Sequence, residues 1–468
     1  YYSLIIKRSN EARFMKIIIV GCGKIGQSIL QSLISEGHEI VVVDSNREVI
    51  DSVSTNYDVM GICAAGTHFK TLSDAGADSA ELFIAATGSD EINMLSCFLA
   101  KRMGAKHTVA RIRGSEYTSE NLDFIKNQLE LSMVINPERL TAKAIYNILK
   151  FPSAVKSESF TRSRFEMAEM SVKPGSALDG VELSALRAKS GASFLVCAVL
   201  RDKTAYIPRG SFVLRAGDKL GLIAAPEDMQ KLLGNMGILQ KRTKHVMLLC
   251  ASRIAEYLSD ELIRSGNGVK IIEKDAKRCD DISAALGGSA VVIHGDGSQH
   301  ELLDEEGLDG ADAFVALTGM DEENLLLSYY ALDRGVPKVI AKLNQDAYHE
   351  LSEHLGVECT VSPKHITADV LLRYARALQN SMGSRVETLY SLMNGKVEAL
   401  EFIVSPDFGY TGIPVKQLDL KPDILLAGII RGGKNIIPCG DDVILPDDRV
   451  IIIAAGRKLY DLSDVIAK

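Results

Sequence analysis

The sequence predicts an α/β fold: two parallel-sheet domains, each followed by a small, strand-rich α+β lobe, the whole produced by internal duplication. Three observations carry that prediction. Short apolar runs alternate with helix-length stretches, the mark of parallel strands joined by crossover helices. The 468 residues read twice at a spacing near 230, far longer than a solenoid unit, so a whole pair of domains is duplicated. The glycine-rich turn Gly21-Cys22-Gly23-Lys24-Ile25-Gly26 directly follows the first apolar run, Ile17-Ile18-Ile19-Val20.

Each element follows in order. Segments 16–20, 40–43, 59–63, 82–86 and 108–112 read as strands. They are uniformly apolar, as strands are when both faces of a sheet are covered. Helices are predicted between them over 23–35, 47–54, 67–75 and 91–103, with Gly37 and Gly104 as C-terminal caps. Pro137 and Pro363 each open a further helix. Leu140, Ala144, Ile145, Ile148 and Leu149 form an apolar stripe on one, and Val370, Leu371, Tyr374, Ala377 and Leu378 on the other. Such a stripe fits an ordinary core-facing helix; it equally fits a helix that crosses to a partner subunit or to the other half.

Small lobes follow both helices. Tyr206-Ile207-Pro208 precedes Ala216-Gly217-Asp218 as Ile436-Ile437-Pro438 precedes Pro446-Asp447-Asp448, with Pro208/Pro438 and Asp218/Asp448 both 230 residues apart. The predicted division is an extension over 1–14, a Rossmann-like domain over 15–135, a connecting helix and linker over 136–164 and a lobe over 165–237. A second Rossmann-like domain covers 243–362, a connecting helix 363–392 and a second lobe 395–468. Polar stretches at 156–164, 240–244 and 381–388 are read as boundaries.

Bulk properties exclude several classes. A composition of 46% hydrophobic and 24% charged residues is that of a soluble globular protein. The net charge of −8 argues against nucleic acid as a partner, since such binders carry a basic face. No run reaches the ~20 apolar residues needed to cross a bilayer. Residues 1–14 lack the pattern of a secretory signal. The eight cysteines are scattered without metal spacing, which suits reduced, buried thiols in a cytosolic protein and predicts no metal site.

The glycine turn gains meaning from its surroundings, because it follows a strand, opens a helix and precedes an acid at the next strand end. Gly21 permits the tight turn, Gly23 lets the backbone approach a pyrophosphate, and Gly26 lets the helix pack on the strand. The helix N-terminus then presents N–H groups and a partial positive charge to the anion. Asp44 lies 18 residues beyond Gly26, where a carboxylate accepts hydrogen bonds from ribose hydroxyls. It would repel a 2′-phosphate, so NAD(H) is favoured over its phosphorylated form, although Arg47 stands nearby. ATP and ADP fit the same ribose contact. Lys24 is directed at the phosphates or is a solvated surface lysine. Thr87 and Gly88 end a strand on the C-terminal edge of the sheet, where ligands of open α/β sheets bind. Arg111 ends the next strand, within reach of a phosphate, an adjacent subunit or a surface ion pair.

The second reading of the chain lacks the glycines. Cys250 replaces Gly21 at an offset of 229, and Ser252 and Ala255 stand at the next two glycine positions. Thr87-Gly88-Ser89-Asp90-Glu91-Ile92-Asn93 nonetheless recurs as Thr318-Gly319-Met320-Asp321-Glu322-Glu323-Asn324, and Glu273 keeps the acid. The second site is therefore expected to be empty or weak, with Arg253 as a candidate to fill the phosphate space.

A hydride-transfer enzyme needs a general acid or base and a substrate anchor beside the nicotinamide. His38, His68 and His107 have no evident carboxylate partner in the sequence. His38 is expected in an exposed turn and His107 just ahead of a strand. The sequence thus points to a binding protein and not an enzyme, with no catalytic residue assigned. Two alternatives stay open: an NAD-dependent oxidoreductase with an unusual substrate lobe, and a scaffold whose Rossmann-like domains bind nothing.

The segment from Met15 through the glycine turn, Asp44, the Thr87–Asn93 heptad, Ala110-Arg111-Ile112-Arg113 and the two proline-and-aspartate lobes together resemble the KTN/RCK family. The tandem order resembles the peripheral regulatory subunits of Trk-type potassium uptake systems. The resemblance implies a cytoplasmic protein, peripheral on the inner face of the cell membrane. It would self-associate into a ring beneath a membrane-embedded potassium-translocating subunit. It further implies NAD(H) or adenine nucleotide bound by Gly21 to Ile25, Asp44, Thr87, Gly88 and Arg111, changing the ring's shape. Many relatives keep a glycine-rich turn where this chain has Cys250 to Ala255.

Overall fold

The computed structural model describes residues 14–114, 116–117, 119–150, 155–160, 165–236, 243–379, 386–393 and 395–467. The extension expected over 1–14 therefore lies outside the described residues apart from Phe14, and so do parts of the three polar boundary stretches. The chain divides into two compact units. One comprises Tyr1–Ala142 with Val361–Ala375, the other Lys143–Thr360 with Arg376–Lys468.

The first unit is built on β1 (Lys16–Val20), α1 (Lys24–Ile34), β2 (Glu39–Asp44), α2 (Arg47–Asn56), β3 (Met60–Cys63), α3 (Phe69–Asp74), β4 (Leu82–Ala85), α4 (Asp90–Met103), β5 (His107–Arg111), α5 (Ser119–Gln128) and β6 (Met133–Ile135). The sheet order is β3-β2-β1-β4-β5-β6, all parallel, so the topology reverses between β1 and β4. A crevice opens at such a switch point beyond the strand ends. Ile17, Ile18 and Ile19 on β1 are wholly buried, each contributing about 1.5–3 kcal/mol. Asn46 caps α2 through the amide of Glu48, and Ser89 caps α4 through the amide of Ile92. His38 departs from expectation: it is buried, and the Met15 amide donates to its Nδ1 at 3.4 Å. The turn folds under the start of β1 instead of facing water. His107 is the first residue of β5.

The helix α6 (Pro137–Lys150) leads into the second unit. There β7 (Lys156–Phe160), β8 (Phe165–Ser171), α7 (Leu183–Ser190), β9 (Phe194–Arg201), β10 (Thr204–Tyr206), β11 (Lys219–Ala224) and α8 (Pro226–Asn235) make the first lobe, with sheet order β10-β9-β11-β8-β7. The second parallel sheet repeats the first. Its elements are β12 (His245–Leu249), α9 (Arg253–Arg264), β13 (Gly268–Glu273), α10 (Ala276–Ala285), β14 (Val291–His294), α11 (His300–Glu305), β15 (Ala313–Ala316), α12 (Asp321–Asp333), β16 (Lys338–Lys342), α13 (Ala347–His354) and β17 (Cys359–Val361), in the order β14-β13-β12-β15-β16-β17. After α14 (Pro363–Gln379), the second lobe contains β18 (Val386–Leu392), β19 (Val397–Ile403), β20 (Ile424–Arg431), β21 (Lys434–Ile436) and β22 (Arg449–Ala455), ordered β18-β19-β22-β20-β21.

β7 and β18 arise from stretches whose polarity suggested boundaries. Both lie at the rim of an antiparallel sheet, and β18 runs on past its polar stretch to place Leu389 and Leu392 in the core. The repeated lobe aspartates are buried: Asp218 takes Arg201 on both carboxylate oxygens at 2.7 Å, and Asp448 takes Arg431 at 2.8 and 2.7 Å. Phe160, Phe165, Met167 and Cys197 of one lobe share an apolar cluster with Met393, Val397, Ile451 and Ile453 of the other.

Of the two roles open to the connecting helices, the crossing one applies. The later part of α6 packs on the second parallel-sheet domain: Lys143 Nζ meets Glu261 at 3.0 Å, Tyr146 Oη meets Ser265 Oγ at 2.7 Å, and Thr243 Oγ1 donates to Leu149 O at 3.1 Å. The earlier part of α14 belongs to the first unit, where Tyr374 meets the ring of His107 edge-on with 6.4 Å between centroids. The buried stripe of α14 is rotated from expectation. Thr367, Ala368, Leu371, Ala375 and Arg376 are buried while Ala377 is exposed. Arg376 is tolerated because Glu398 takes both its terminal nitrogens, at 2.8 and 3.0 Å, and the Tyr460 ring lies below it. Glu398→Ala should therefore take the carboxylate away from a buried guanidinium and destabilise the chain by about 3 kcal/mol, read as a lower urea midpoint, whereas Ala377→Ser should leave the midpoint unchanged.

Candidate functional site

The switch-point crevice gathers most of the residues singled out in the sequence. β1 ends at Val20, and Gly21 turns the chain with φ of +87°. A side chain there would meet Thr87 backbone at 2.7 Å, so both conformation and space demand glycine. Gly26 packs against the turn: a methyl would lie 2.1 Å from the Gly21 carbonyl. Gly23 differs from both, because a Cβ there would meet nothing within 4 Å. It is free of packing duty and faces open space at the start of α1, whose N-terminus no side chain caps. Lys24 is exposed, Ile25 is half-buried and the Cys22 side chain is buried. The open face over Gly23 thus lies at the start of a helix, the kind of place that suits a phosphate.

Asp44, at the end of β2, holds this turn. Its Oδ2 accepts the Cys22 amide at 2.7 Å and its Oδ1 the Asn46 amide at 2.9 Å. An ionised carboxylate offers about four lone-pair sites, so capacity remains for a ribose hydroxyl. Burial, with Asp44 alongside, pushes the Cys22 thiol up to about 12, which leaves it a neutral packing group and not a nucleophile.

Across the crevice, Asn93 organises the ends of β4 and β5. Its Oδ1 accepts from the Thr87 amide and hydroxyl at 2.8 and 2.7 Å, and its Nδ2 donates to Thr87 O and Arg111 O at 3.3 and 2.8 Å. Arg111 Nη1 donates to Thr87 O at 3.4 Å. Gly88 is exposed with open space where a Cβ would stand. Buried Asp90 accepts the amides of Arg113 and Gly114, both at 2.7 Å, and Arg113 Nη2 donates to Gly88 O at 2.6 Å. Asn93, Asp90 and Arg113 were not foreseen as site residues. The recurrence of the heptad in the second half was the signal that could have found the first two.

Of the histidines, His68 precedes α3, and His107 is held below its usual pKa by burial and then by Lys101 and Lys106.

The second parallel sheet reproduces the frame. Glu273 accepts the Ala251 amide at 2.7 Å and the Asp275 amide at 2.9 Å. Asn324 links Thr318 to Lys342 O as Asn93 links Thr87 to Arg111 O. Cys250 adopts φ of +79° without being glycine. Ser252 caps α9, its Oγ accepting the Ala255 amide at 3.3 Å. Arg253 is exposed at the first position of that helix.

Comparison with known proteins agrees with this organisation. The TrkA-N domain model matches residues 17–137 and 246–363, and the TrkA-C domain model matches 167–237 and 399–467. The chain is 30% identical over 451 residues to the Trk system potassium uptake protein TrkA homolog of Archaeoglobus fulgidus, covering 96% of this chain and 100% of that one. It is 29% identical over 449 residues to the Trk system potassium uptake protein TrkA of Halomonas elongata, covering 95% and 96%. Among solved structures, the GsuK channel superposes with a TM-score of 0.62 at 17% identity, covering 94% of this chain and 77% of that one, and a GsuK channel bound to NAD with 0.61 at 17% over the same shares. At that identity the likeness speaks for the fold.

Two outcomes are expected of the crevice. Asn93→Ala should remove the acceptor of the Thr87 amide and a donor to the Arg111 carbonyl and cost about 2–3 kcal/mol, measured by urea unfolding. Thiol labelling of the native chain at pH 8 should be fast only at Cys63 and Cys439, the exposed pair. The raised folded pKa of Cys22 contributes stability below the unfolded thiol value of ~8.5, and that contribution is lost as pH rises through 12; fast labelling of Cys22 at pH 8 would contradict its placement.

Proposed function

The chain belongs to the TrkA family of Trk potassium uptake systems, with tandem TrkA-N and TrkA-C domains, and on that premise we propose that it is a nucleotide-sensing regulatory subunit whose first half holds the sensor. The observation that carries the reading is the open, side-chain-free face over Gly23 at the uncapped start of α1, beside a carboxylate that already positions the turn.

In this reading the amides of the turn and of α1 hold the phosphates of NAD(H), or of ATP or ADP. Gly21, Cys22, Gly23, Lys24, Ile25 and Gly26 form the cradle, Asp44 takes the ribose, and Thr87, Gly88 and Arg111 line the far wall. One related solved structure is described as bound to NAD and another as bound to ADP, which keeps both ligand classes in view. The sensor domain spans 15–135 and its degenerate counterpart 243–362, with the lobes at 165–237 and 395–468. Among the described residues no helix is long and apolar enough to cross a membrane. The regulatory reading gives the chain a cytoplasmic place beneath a membrane-embedded potassium-translocating partner, and self-association into a ring. It acts as a regulator and not as an enzyme: nucleotide biases the partner only through unequal affinity for two conformations, typically a coupling of about 1–3 kcal/mol.

Titration calorimetry with NADH, NAD, ATP and ADP is expected to give one site per chain, lost in Gly23→Asp, whose carboxylate would stand in the phosphate cradle. Potassium uptake by cells carrying that variant should no longer respond to nucleotide. A full response in Gly23→Asp would rule out this sensor.

A further inference from the structure

The two halves of the chain can be compared position by position, since they share one frame. The acid-to-turn bond is 2.7 Å in both, from Cys22 to Asp44 and from Ala251 to Glu273. The turn itself is tied to β2 and β13 by the same 2.8 Å bond, Gly21 N to Val43 O and Cys250 N to Ile272 O. The asparagine links at the strand ends coincide as well. At the helix start the two halves part. Gly23 leaves α1 without a side-chain cap, whereas Ser252 occupies the matching place and its hydroxyl accepts the Ala255 amide.

We infer that Ser252 is a built-in stand-in for a nucleotide phosphate, holding the second turn in the shape of the first and limiting the chain to one nucleotide. The inference rests on the proposed sensor role of the first half. A phosphate oxygen and a serine hydroxyl do the same work at this position: each is an acceptor placed over the first amides of a helix. The second observation is Cys250, which holds a left-handed φ of +79° that L side chains rarely adopt. A turn that had lost its role would be expected to relax to a conformation suited to cysteine. Here it is kept, with the serine bond and the Glu273 bond closing it from both sides. The second turn thereby keeps the shape of the first irrespective of nucleotide level. Any nucleotide response of the chain must then originate in the first.

The test exchanges the two residues. In Ser252→Gly, hydrogen exchange at the start of α9 should speed up roughly five-fold with the loss of one net hydrogen bond. Inorganic phosphate should slow it again in the variant and leave the wild-type chain unchanged. In Gly23→Ser, the Lys24–Gly26 amides of the nucleotide-free chain should exchange more slowly than in the wild type, and calorimetry should detect no uptake of NADH or ATP. An unchanged exchange rate in Ser252→Gly, an equal phosphate effect on variant and wild type, or full nucleotide uptake by Gly23→Ser would each overturn the inference. Failure of the wild-type chain itself to take up any nucleotide would instead overturn the sensor assignment; the phosphate response of Ser252→Gly would still report on the serine.

Discussion

The crevice depends on one charge-assisted bond repeated twice: a carboxylate at the end of the second strand of each parallel sheet takes the amide of the residue after the turn. An amide at the edge of a ligand site cannot rely on the sheet ladder for its partner, and a bond to an ionised acceptor is about twice as strong as a neutral one. That acid fixes the turn over the start of the helix, and in the proposed sensor it would also take a sugar hydroxyl. In the second half, as glutamate, it makes the same bond to the turn.

This separation of frame from ligand contact governs how the rest of the site reads. Thr87, Asn93 and Asp90 recur as Thr318, Asn324 and Asp321 with the same partners, so they build the crevice whether or not anything enters it. The residues that differ between halves include Gly21, Gly23, Gly26 and Arg111, against Cys250, Ser252, Ala255 and Lys342. Gly21 and Gly26 are closely packed, whereas a side chain at Gly23 would meet nothing within 4 Å.

Much of this was legible in the sequence because it rests on local rules. Strand and helix order in both parallel sheets follows from apolar runs and glycine, and the acid lies at a fixed distance from the turn. What was not legible depends on neighbours far along the chain. Arg376 lies outside the stripe expected of its helix, and its burial depends on Glu398 and Tyr460 closing over it. His38 reads as an exposed turn residue until Met15 folds across it. β7 and the start of β18 fall in polar stretches because rim strands are held by backbone pairing, which no hydropathy pattern records. The crossing of the connecting helices is of the same kind, since a helix stripe names a buried face and not the surface that buries it.

That crossing bears on the history of the chain. The first compact unit needs residues 361–375, and the second begins already at Lys143. A single copy of the repeat with the same packing would have to lend its helix to another copy of itself, as subunits of a domain-swapped pair do. In the tandem chain that loan is internal. The two halves can then differ in their glycines, because a substitution in one half does not appear in the other as it must in both partners of a symmetric pair.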